Sequence, residues 1–349
     1  SINPIEIPDG KSEDQLWEIF SIIDETIDTD DSIIFDISHG FRAIPIIVLL
    51  SLYYLKIIKK IKIEKILYGF ADTLSGNENN GQIFDLTPMW DLAEWSIAVE
   101  RFLETGNADK IKEIADKELN TQMRGDSEDN HLENLLDALA EFSDNVSTSR
   151  GPKFKENIHN IKNELSGAIK GLDEFKPLGL KLKPIVDMIR NRFRNMNCGD
   201  ENSDEILCGI EVSEWCLEHG YVQQGLTIMR ETLVNYVMLK KLNLTDINKK
   251  INDPAFRMKV ENKLNELVNA TYKSEKKSNE LNEIEEKLKS LELSDELLHL
   301  WSQIREFRND IDHAGWTKKT KEPDEFRDKL NDSIKKFKEL IKYQQSPQR

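Results

Sequence analysis

The 349-residue sequence predicts an α/β layer followed by an all-α region. Roughly the first hundred residues alternate between helical and extended patterns, which is typical of a doubly wound, Rossmann-like layer. From about residue 90 onward, apolar residues recur with helical spacing. Because the length exceeds that of one usual domain, we expect two principal domains.

The α/β region begins with a helix, and Ser12 followed by two acidic residues gives that helix a suitable amino-terminal turn. The first strand candidate is short, β-branched and apolar on both faces, as in a central parallel strand. The predicted elements are helices at 12–27 and 42–60, strands at 32–37 and 65–71, and an extended piece at 81–89.

The rest of the chain carries a series of helical patterns separated by polar, turn-rich loops. These patterns lie at 90–104, 107–119, 131–145, 152–172, 181–194, 208–219, 221–241, 255–291, 294–313 and 323–343. We expect a division into an α/β domain at 1–105, a helical linker region at 106–150 and a helical bundle at 151–349.

The composition indicates an acidic globular protein, with 32% charged residues and a formal net charge of −16. Such a balance argues against coating duplex nucleic acid through a broad basic face, although a small anion site needs only a few donors. The longest apolar stretch, at 43–55, is too short to span a bilayer and predicts a buried helix. The first residues lack the features of a secretory signal, so we expect a cytoplasmic protein without a membrane partner.

Three cysteines are present, Cys198, Cys208 and Cys216. An odd count without a signal peptide predicts reduced thiols in the cytosol. Together with His219 they do not match the ligand spacing of a zinc finger, so we predict buried thiols and no metal site. Four tryptophans with helical spacing are predicted to be packing residues: Trp17, Trp90, Trp95 and Trp301.

The first motif of chemical interest is the stretch IIFDISHGFRAIP at 33–45, where a strand gives way to a helix. Backbone N–H groups at such a helix start attract anions, and Gly40 allows a close approach. Ser38, His39 and Arg42 add side-chain donors. The same stretch also fits an ordinary turn in which Ser38 caps the helix and Arg42 pairs with an acid, so both interpretations stay open.

The second motif is REFRNDIDHAGW at 305–316. Asn309 and His313 form an i,i+4 pair, with Arg308 beside them. Such a trio suits RNA cleavage without a metal, since histidine moves a proton, arginine holds a phosphate and asparagine orients either group. The alternative is a surface helix end, with His313 at the negative pole of the helix and Gly315 at C′.

Together, DISHGFRAIP and REFRNDIDHAG resemble the CRISPR-associated ancillary ribonucleases of type III systems. In that family a CARF sensor domain precedes a HEPN effector domain. The sensor stretch Asp-x-Thr/Ser-His-Gly-Phe-Arg-x-x-Pro and the effector motif Arg-x4–6-His match residues Asp36, Ser38, His39, Gly40, Phe41, Arg42, Pro45, Arg308, Asn309 and His313. A similar spacing at Arg124 and His131 lies in an acidic loop, and we interpret it as coincidental.

The resemblance implies an endoribonuclease that cuts single-stranded RNA at a composite site in a homodimer or higher oligomer. Arg308, Asn309 and His313 would be catalytic, and no cofactor would be needed. Cyclic oligoadenylate would act as an allosteric activator, bound by a loop that contains Ser38, His39, Gly40, Phe41 and Arg42. A catalytically silent sensor or interaction module and a ring nuclease that degrades the activator are the alternatives.

The resemblance also implies that the CARF-like domain at 1–105 is incomplete at its amino end. The family's sensor normally begins with a further strand, loop and helix that contact the ligand. That unit would lie upstream of residue 1 or on a partner chain, and a reduced fold is the third alternative.

Overall fold

The computed structural model describes residues 2–38, 44–71, 81–122, 130–174, 176–198, 204–242, 252–270, 287–288, 290–317 and 320–345. The chain divides into two compact units, residues 1–97 and 98–349, and a helix crosses the boundary between them. The predicted fold class is confirmed, because a small mixed sheet with helices is followed by a helical bundle. The three-part division at 105 and 150 stays a prediction.

Unit 1 contains a three-stranded sheet in the order β1-β2-β3. β1 and β2 are parallel and are connected through a helix, whereas β2 and β3 are antiparallel. The elements are α1 (Glu13–Thr26), β1 (Ser32–Asp36), α2 (Ile44–Ile58), β2 (Lys62–Ala71), β3 (Gly81–Asp85) and the start of α3 (Thr87–Thr105). The core cluster between sheet and helices contains Leu52, Leu55, Ile61, Ile66 and Trp90.

The predicted extended piece at 81–89 is a strand only as far as Asp85. Oδ1 of Asp85 accepts hydrogen bonds from the backbone N of Thr87 at 2.9 Å and from its hydroxyl at 2.5 Å. These bonds lower the pKa of Asp85. The Thr87 hydroxyl in turn accepts from the backbone N of Ile66 at 3.0 Å. The chain therefore leaves the sheet after Asp85, and α3 begins at Thr87.

Helix α2 was expected to be buried, but only one of its faces is. Four apolar side chains on the other face are exposed: Ile46, Leu50, Tyr54 and Ile57. The exposed Trp17 was likewise wrongly expected to be a packing residue, whereas Trp90, Trp95 and Trp301 are buried as predicted. Among the described residues, no helix combines the length and the apolar character that a membrane span requires.

Unit 2 is a helical bundle. Its elements are the end of α3, α4 (Asp109–Gln122), α5 (His131–Ser147), a 3₁₀ turn (Gly151–Lys153), α6 (Phe154–Glu174), α7 (Lys176–Arg194), α8 (Glu205–Glu218), α9 (Val222–Tyr236), a π turn (Val237–Lys241), α10 (Pro254–Ala270), α11 (Asp295–Asp312) and α12 (Pro323–Gln345). The helix predicted over 255–291 is observed as far as Ala270; residues 271–286 and 289 lie outside the described residues, and residue 291 is not helical.

The indole of Trp215 in α8 lies at the centre of one half of this bundle. Its ring centroid lies 6.0 Å from Phe102, 5.2 Å from Phe142 and 5.3 Å from Phe193. The imidazole of His219 stacks on it at 4.1 Å, and burial lowers the pKa of that histidine. Aromatic contacts of this kind add to the free energy of area burial, so this cluster joins helices α3, α5, α7 and α8.

The cysteines do not follow the prediction of reduced thiols. Cys198 and Cys208 form a disulfide, with their Cα atoms 4.8 Å apart, and only Cys216 is free. Cys198 lies beyond the end of α7 and Cys208 lies in α8, and their spacing in the sequence does not indicate this pairing. Burial raises the pKa of the Cys216 thiol to about 12. Within the described residues, no group of three or more His, Cys, Asp or Glu side chains could hold a metal ion.

Helices α8 and α9 approach closely at Gly209, where a Cβ atom would lie 2.1 Å from the hydroxyl oxygen of Thr232. We therefore expect Gly209→Ala to destabilise the protein by about 1–3 kcal/mol through overpacking. Gly171→Ala is the matched control, because a Cβ there meets nothing within 4 Å on helix α6. The control should instead stabilise the helix by about 0.5–1 kcal/mol. Urea unfolding of the two variants measures both effects, and equal midpoints would contradict the predicted packing.

Candidate functional site

Helix α11 carries the second motif, and its first turn and buried face fix its position in unit 2. Ser294 caps the helix by accepting a hydrogen bond from the backbone N of Leu297 at 3.4 Å, and Asp295 and Glu296 follow in the first turn. One face of the helix is buried in the core cluster through Leu297, Leu298, Leu300, Trp301, Ile304 and Phe307. The rotation of the helix about its axis is thereby determined.

Polar contacts also tie α11 to its neighbours. The indole N–H of Trp301 and Nη1 of Arg305 both donate to Oδ1 of Asn265 in α10, at 3.0 and 2.6 Å. From α9, the guanidinium of Arg230 lies 5.5 Å from the ring centroid of Trp301 and pairs with Glu261 at 2.5 Å. These contacts hold α9, α10 and α11 in register behind the candidate site.

The carboxyl end of α11 is a Schellman motif. The backbone N of Ala314 donates to the carbonyl of Ile311, and that of Gly315 donates to the carbonyl of Asp310, both at 2.9 Å. Ala314 and Gly315 have φ values of 49° and 77°. His313 is the C-cap, so Gly315 occupies C″ and not C′ as predicted. The positive φ of Ala314 makes this turn sharper than the sequence indicates.

The loop after the helix is held by Asp310, whose side chain is 4% exposed. One carboxylate oxygen accepts from the Thr317 hydroxyl and the other accepts from the backbone N of Lys321 at 3.2 Å. The Lys321 ammonium bonds Glu306 at 2.8 Å; this bond, with Glu325 and Asp310 nearby, raises its pKa. Thr317 and Lys321 are thus both joined to α11.

Arg308, Asn309 and His313 all lie in the last turn of α11 or at its cap, so the structure places them at one helix end. Arg308 is half-buried and its Nη1 pairs with Asp312 at 2.8 Å, while its buried Nε has no hydrogen-bond partner. Asn309 and His313 are exposed, and neither side chain makes a hydrogen bond within the described residues. No side-chain hydrogen bond joins the three in the part of the chain described.

Trp316 is a neighbour of the motif that the motif's own pattern does not include. Its side chain is 91% exposed, although its backbone N donates to the carbonyl of His313 at 2.8 Å. The hydroxyl of Thr320 fixes the same loop by donating to the Gly315 carbonyl at 2.7 Å. The sequence offers one indication that Trp316 is exposed. The residue lies just beyond the last predicted helical residue, in a polar stretch without an apolar register.

Of the five residues expected to bind the activator, the structure describes Ser38, whereas His39, Gly40, Phe41 and Arg42 lie outside the described residues. The backbone N of Ser38 donates to Oδ1 of Asp36 at 2.8 Å, and the hydroxyl donates to the same oxygen. The hydroxyl also accepts from the backbone N of Gly69 in β2 at 2.5 Å. Ser38 therefore links the ends of β1 and β2 and fixes where the loop begins.

In the second Arg-His spacing, which we interpret as coincidental, the histidine has a structural role. Nδ1 of His131, in the first turn of α5, lies 2.7 Å from a carboxylate oxygen of Glu164 in α6, which joins two helices. Arg124 lies outside the described residues.

Comparison with known proteins gives one related segment. Residues 91–202 match the family model of "CRISPR-associated protein MJ1674, second domain". The CRISPR-associated protein MJ1674 of Methanocaldococcus jannaschii is 32% identical over 117 residues, a region that covers 32% of this chain and 18% of the relative. The chain thus spans less than a fifth of that relative's length. The similarity supports a CRISPR-associated family, and the matched residues 91–202 include neither Ser38 nor the end of α11.

We expect Asp310→Ala to release the loop after α11, because the Thr317 hydroxyl and the Lys321 N–H would lose their acceptor. The cost should be about 1–3 kcal/mol, and hydrogen exchange at residues 314–321 should accelerate. Asp310→Asn should retain part of the effect through its amide oxygen. Asp312→Ala is the control, since it removes only a partly exposed ion pair. Unchanged exchange in Asp310→Ala would contradict the predicted role.

Proposed function

We propose that this chain is an endoribonuclease of CRISPR antiviral defence that cuts single-stranded RNA at a HEPN-type site. The observation that carries the proposal is the position of Arg308, Asn309 and His313 at one helix end, where Asn309 and His313 are exposed. The similarity of residues 91–202 to a CRISPR-associated protein supports the biological setting.

The proposed reaction needs proton transfer and charge stabilisation but no metal. One imidazole takes the proton from a ribose 2′-hydroxyl, and the 2′-oxygen bonds to the adjacent phosphorus. The bond from phosphorus to the 5′-oxygen breaks, and that oxygen receives a proton. The products are a 2′,3′-cyclic phosphate and a 5′-hydroxyl. Arg308 would stabilise the charge on the phosphoryl oxygens, and Asn309 would orient the phosphate or the imidazole.

A second copy of the chain is part of the proposal, because one histidine cannot accept and donate the two protons at the same moment. His313 of one copy would be the base and His313 of the other copy the acid. The exposure of Asn309 and His313 leaves both side chains accessible to a second copy and to RNA. Arg308 keeps N–H donors beyond the one that binds Asp312.

Cyclic oligoadenylate is the proposed activator, bound by residues 38–42. The support is positional, since Ser38 begins the loop at the carboxyl ends of the parallel strands β1 and β2. Ligands of α/β sheets bind at that edge. The Ser38 hydroxyl is already engaged by Asp36 and Gly69, so we assign it the role of positioning the loop.

Labelled single-stranded RNA incubated in EDTA, with and without each cyclic oligoadenylate, tests the proposal. We expect cleavage that His313→Ala reduces by at least about a hundredfold, since general acid–base catalysis typically contributes that much. Arg308→Ala should also abolish most cleavage, and the 5′-hydroxyl and cyclic phosphate ends identify the mechanism.

His299→Ala is the matched control, because His299 is another exposed histidine on α11 and lies outside the motif. Its activity should equal that of the parent protein. Absence of cleavage under every activator would exclude the nuclease and favour a silent sensor or interaction module. Loss of the cyclic ligand that survives His313→Ala would instead indicate a ring nuclease.

Trp316 should contribute to substrate binding by stacking on an RNA base, since its indole is exposed beside His313 on a fixed loop. We expect Trp316→Ala to raise KM by about tenfold, with a smaller change in kcat, because one base stacked on an aromatic side chain contributes about 1–3 kcal/mol. Trp316→Phe should retain part of the affinity. A loss confined to kcat would contradict the stacking role.

A further inference from the structure

The groove between α6 and α7 carries a concentration of positive charge in a chain with a net charge of −16. The two helices run antiparallel, because Lys183 pairs with Asp173 at one end and Lys162 donates to the carbonyl of Met196 at 2.7 Å at the other. The lining residues are Lys162, Leu165, Ser166, Ile169, Lys170, Arg190 and Arg194, and none of them is acidic.

The cations form two facing rows. On α6, Lys162, Ser166 and Lys170 lie at i, i+4 and i+8, and on α7 Arg190 and Arg194 lie at i and i+4. Residues with these spacings project from the same side of a helix, at intervals of about 6 Å along its axis. The floor between the rows is apolar because Leu165 is buried there.

Within the described residues, Lys170 and Arg194 have no hydrogen-bond or ion-pair partner. Arg190 binds Asp187 through Nη2 at 2.9 Å, in an exposed pair that leaves its other donors accessible. Two cations elsewhere in unit 2 differ in this respect, because Lys153 pairs with Glu156 and Lys336 pairs with Asp332. The charges of Lys170 and Arg194 lack such partners, so an anionic ligand beside them would be favourable.

We propose that the groove binds the phosphodiester backbone of single-stranded RNA, as a site separate from the cleavage motif on α11. The rows of cations suit a chain of phosphates, and the apolar floor suits ribose and base edges. An acidic protein segment is the competing ligand, because the same four cations would attract it. The choice of RNA rests on the proposed function, whereas the anion site rests on the groove itself.

Affinity for a labelled single-stranded RNA, measured by fluorescence anisotropy over a range of salt concentrations, tests this inference. The protein is the full chain with His313→Ala, so that RNA stays intact. Adding Lys170→Gln and Arg194→Gln should weaken binding about tenfold and reduce the slope of log K against log salt by about 1.4, as expected for two lost phosphate contacts. Both residues are exposed, and thermal unfolding checks that the variant folds.

The control adds Lys153→Gln and Lys336→Gln instead, which gives the same net charge but leaves the groove intact. Its affinity and its salt slope should equal those of the parent. Equal losses in both double variants, or no RNA binding by the parent, would overturn the inference. Binding that depends on the groove, in a chain that never cleaves RNA, would uphold the groove and reject the proposed nuclease. Cleavage of RNA, together with RNA affinity that the groove substitutions leave unchanged, would uphold the proposed nuclease and reject the groove.

Discussion

The candidate site depends on the hydrogen bonds that the buried carboxylate of Asp310 accepts from the loop after α11. That carboxylate is the only charged side chain among the described residues that are buried. Because each helical residue turns about 100° from the last, the rotation that directs Phe307 and Asp310 inward leaves Asn309 and His313 facing outward. Asp310 then holds Thr317 and the backbone of Lys321, so the core and the loop are joined by one side chain. Burying this carboxylate without hydrogen-bond partners would cost free energy of folding. The conformation of the loop and the position of the helix therefore depend on each other.

Regular periodicity accounts for what the sequence could predict. The apolar register of Leu297, Trp301 and Ile304 located α11 within a residue or so of its observed bounds, since burial of one stripe enforces helical spacing. Two of the wrong predictions depended on contacts that hydrophobic periodicity does not register. The Thr87 hydroxyl binds the backbone N of Ile66 where β3 ends, and Cys198 is bonded to Cys208. No local pattern encodes these contacts. The exposure of Trp316 was missed for a related reason, because it follows from a turn at Ala314 with positive φ that the residue type does not indicate.

Unit 2 has a few local groups of cations, and their positions determine where an anion can bind. The net charge of −16 opposes nonspecific contact with nucleic acid. At physiological ionic strength, however, charges more than about 8 Å apart are largely screened. The cations of the α6–α7 groove and Arg308 on α11 therefore act mainly on phosphates in direct contact with them. An acidic surface with a few cationic positions restricts RNA to those positions, whereas a uniformly basic surface would bind it anywhere.

The state of Arg308 bears on how a nuclease of this kind would be controlled. In the single chain its guanidinium is paired with Asp312, and His313 is open to water. Electrostatic stabilisation of a phosphoryl transition state is weak in such a high-dielectric setting and becomes strong only when water is excluded. A second copy that covers the end of α11 would lower the local dielectric and supply the second imidazole in the same step. Association of two helix ends would then be both the structural and the electrostatic condition for cleavage, and a single copy would keep the same residues in place without cutting RNA.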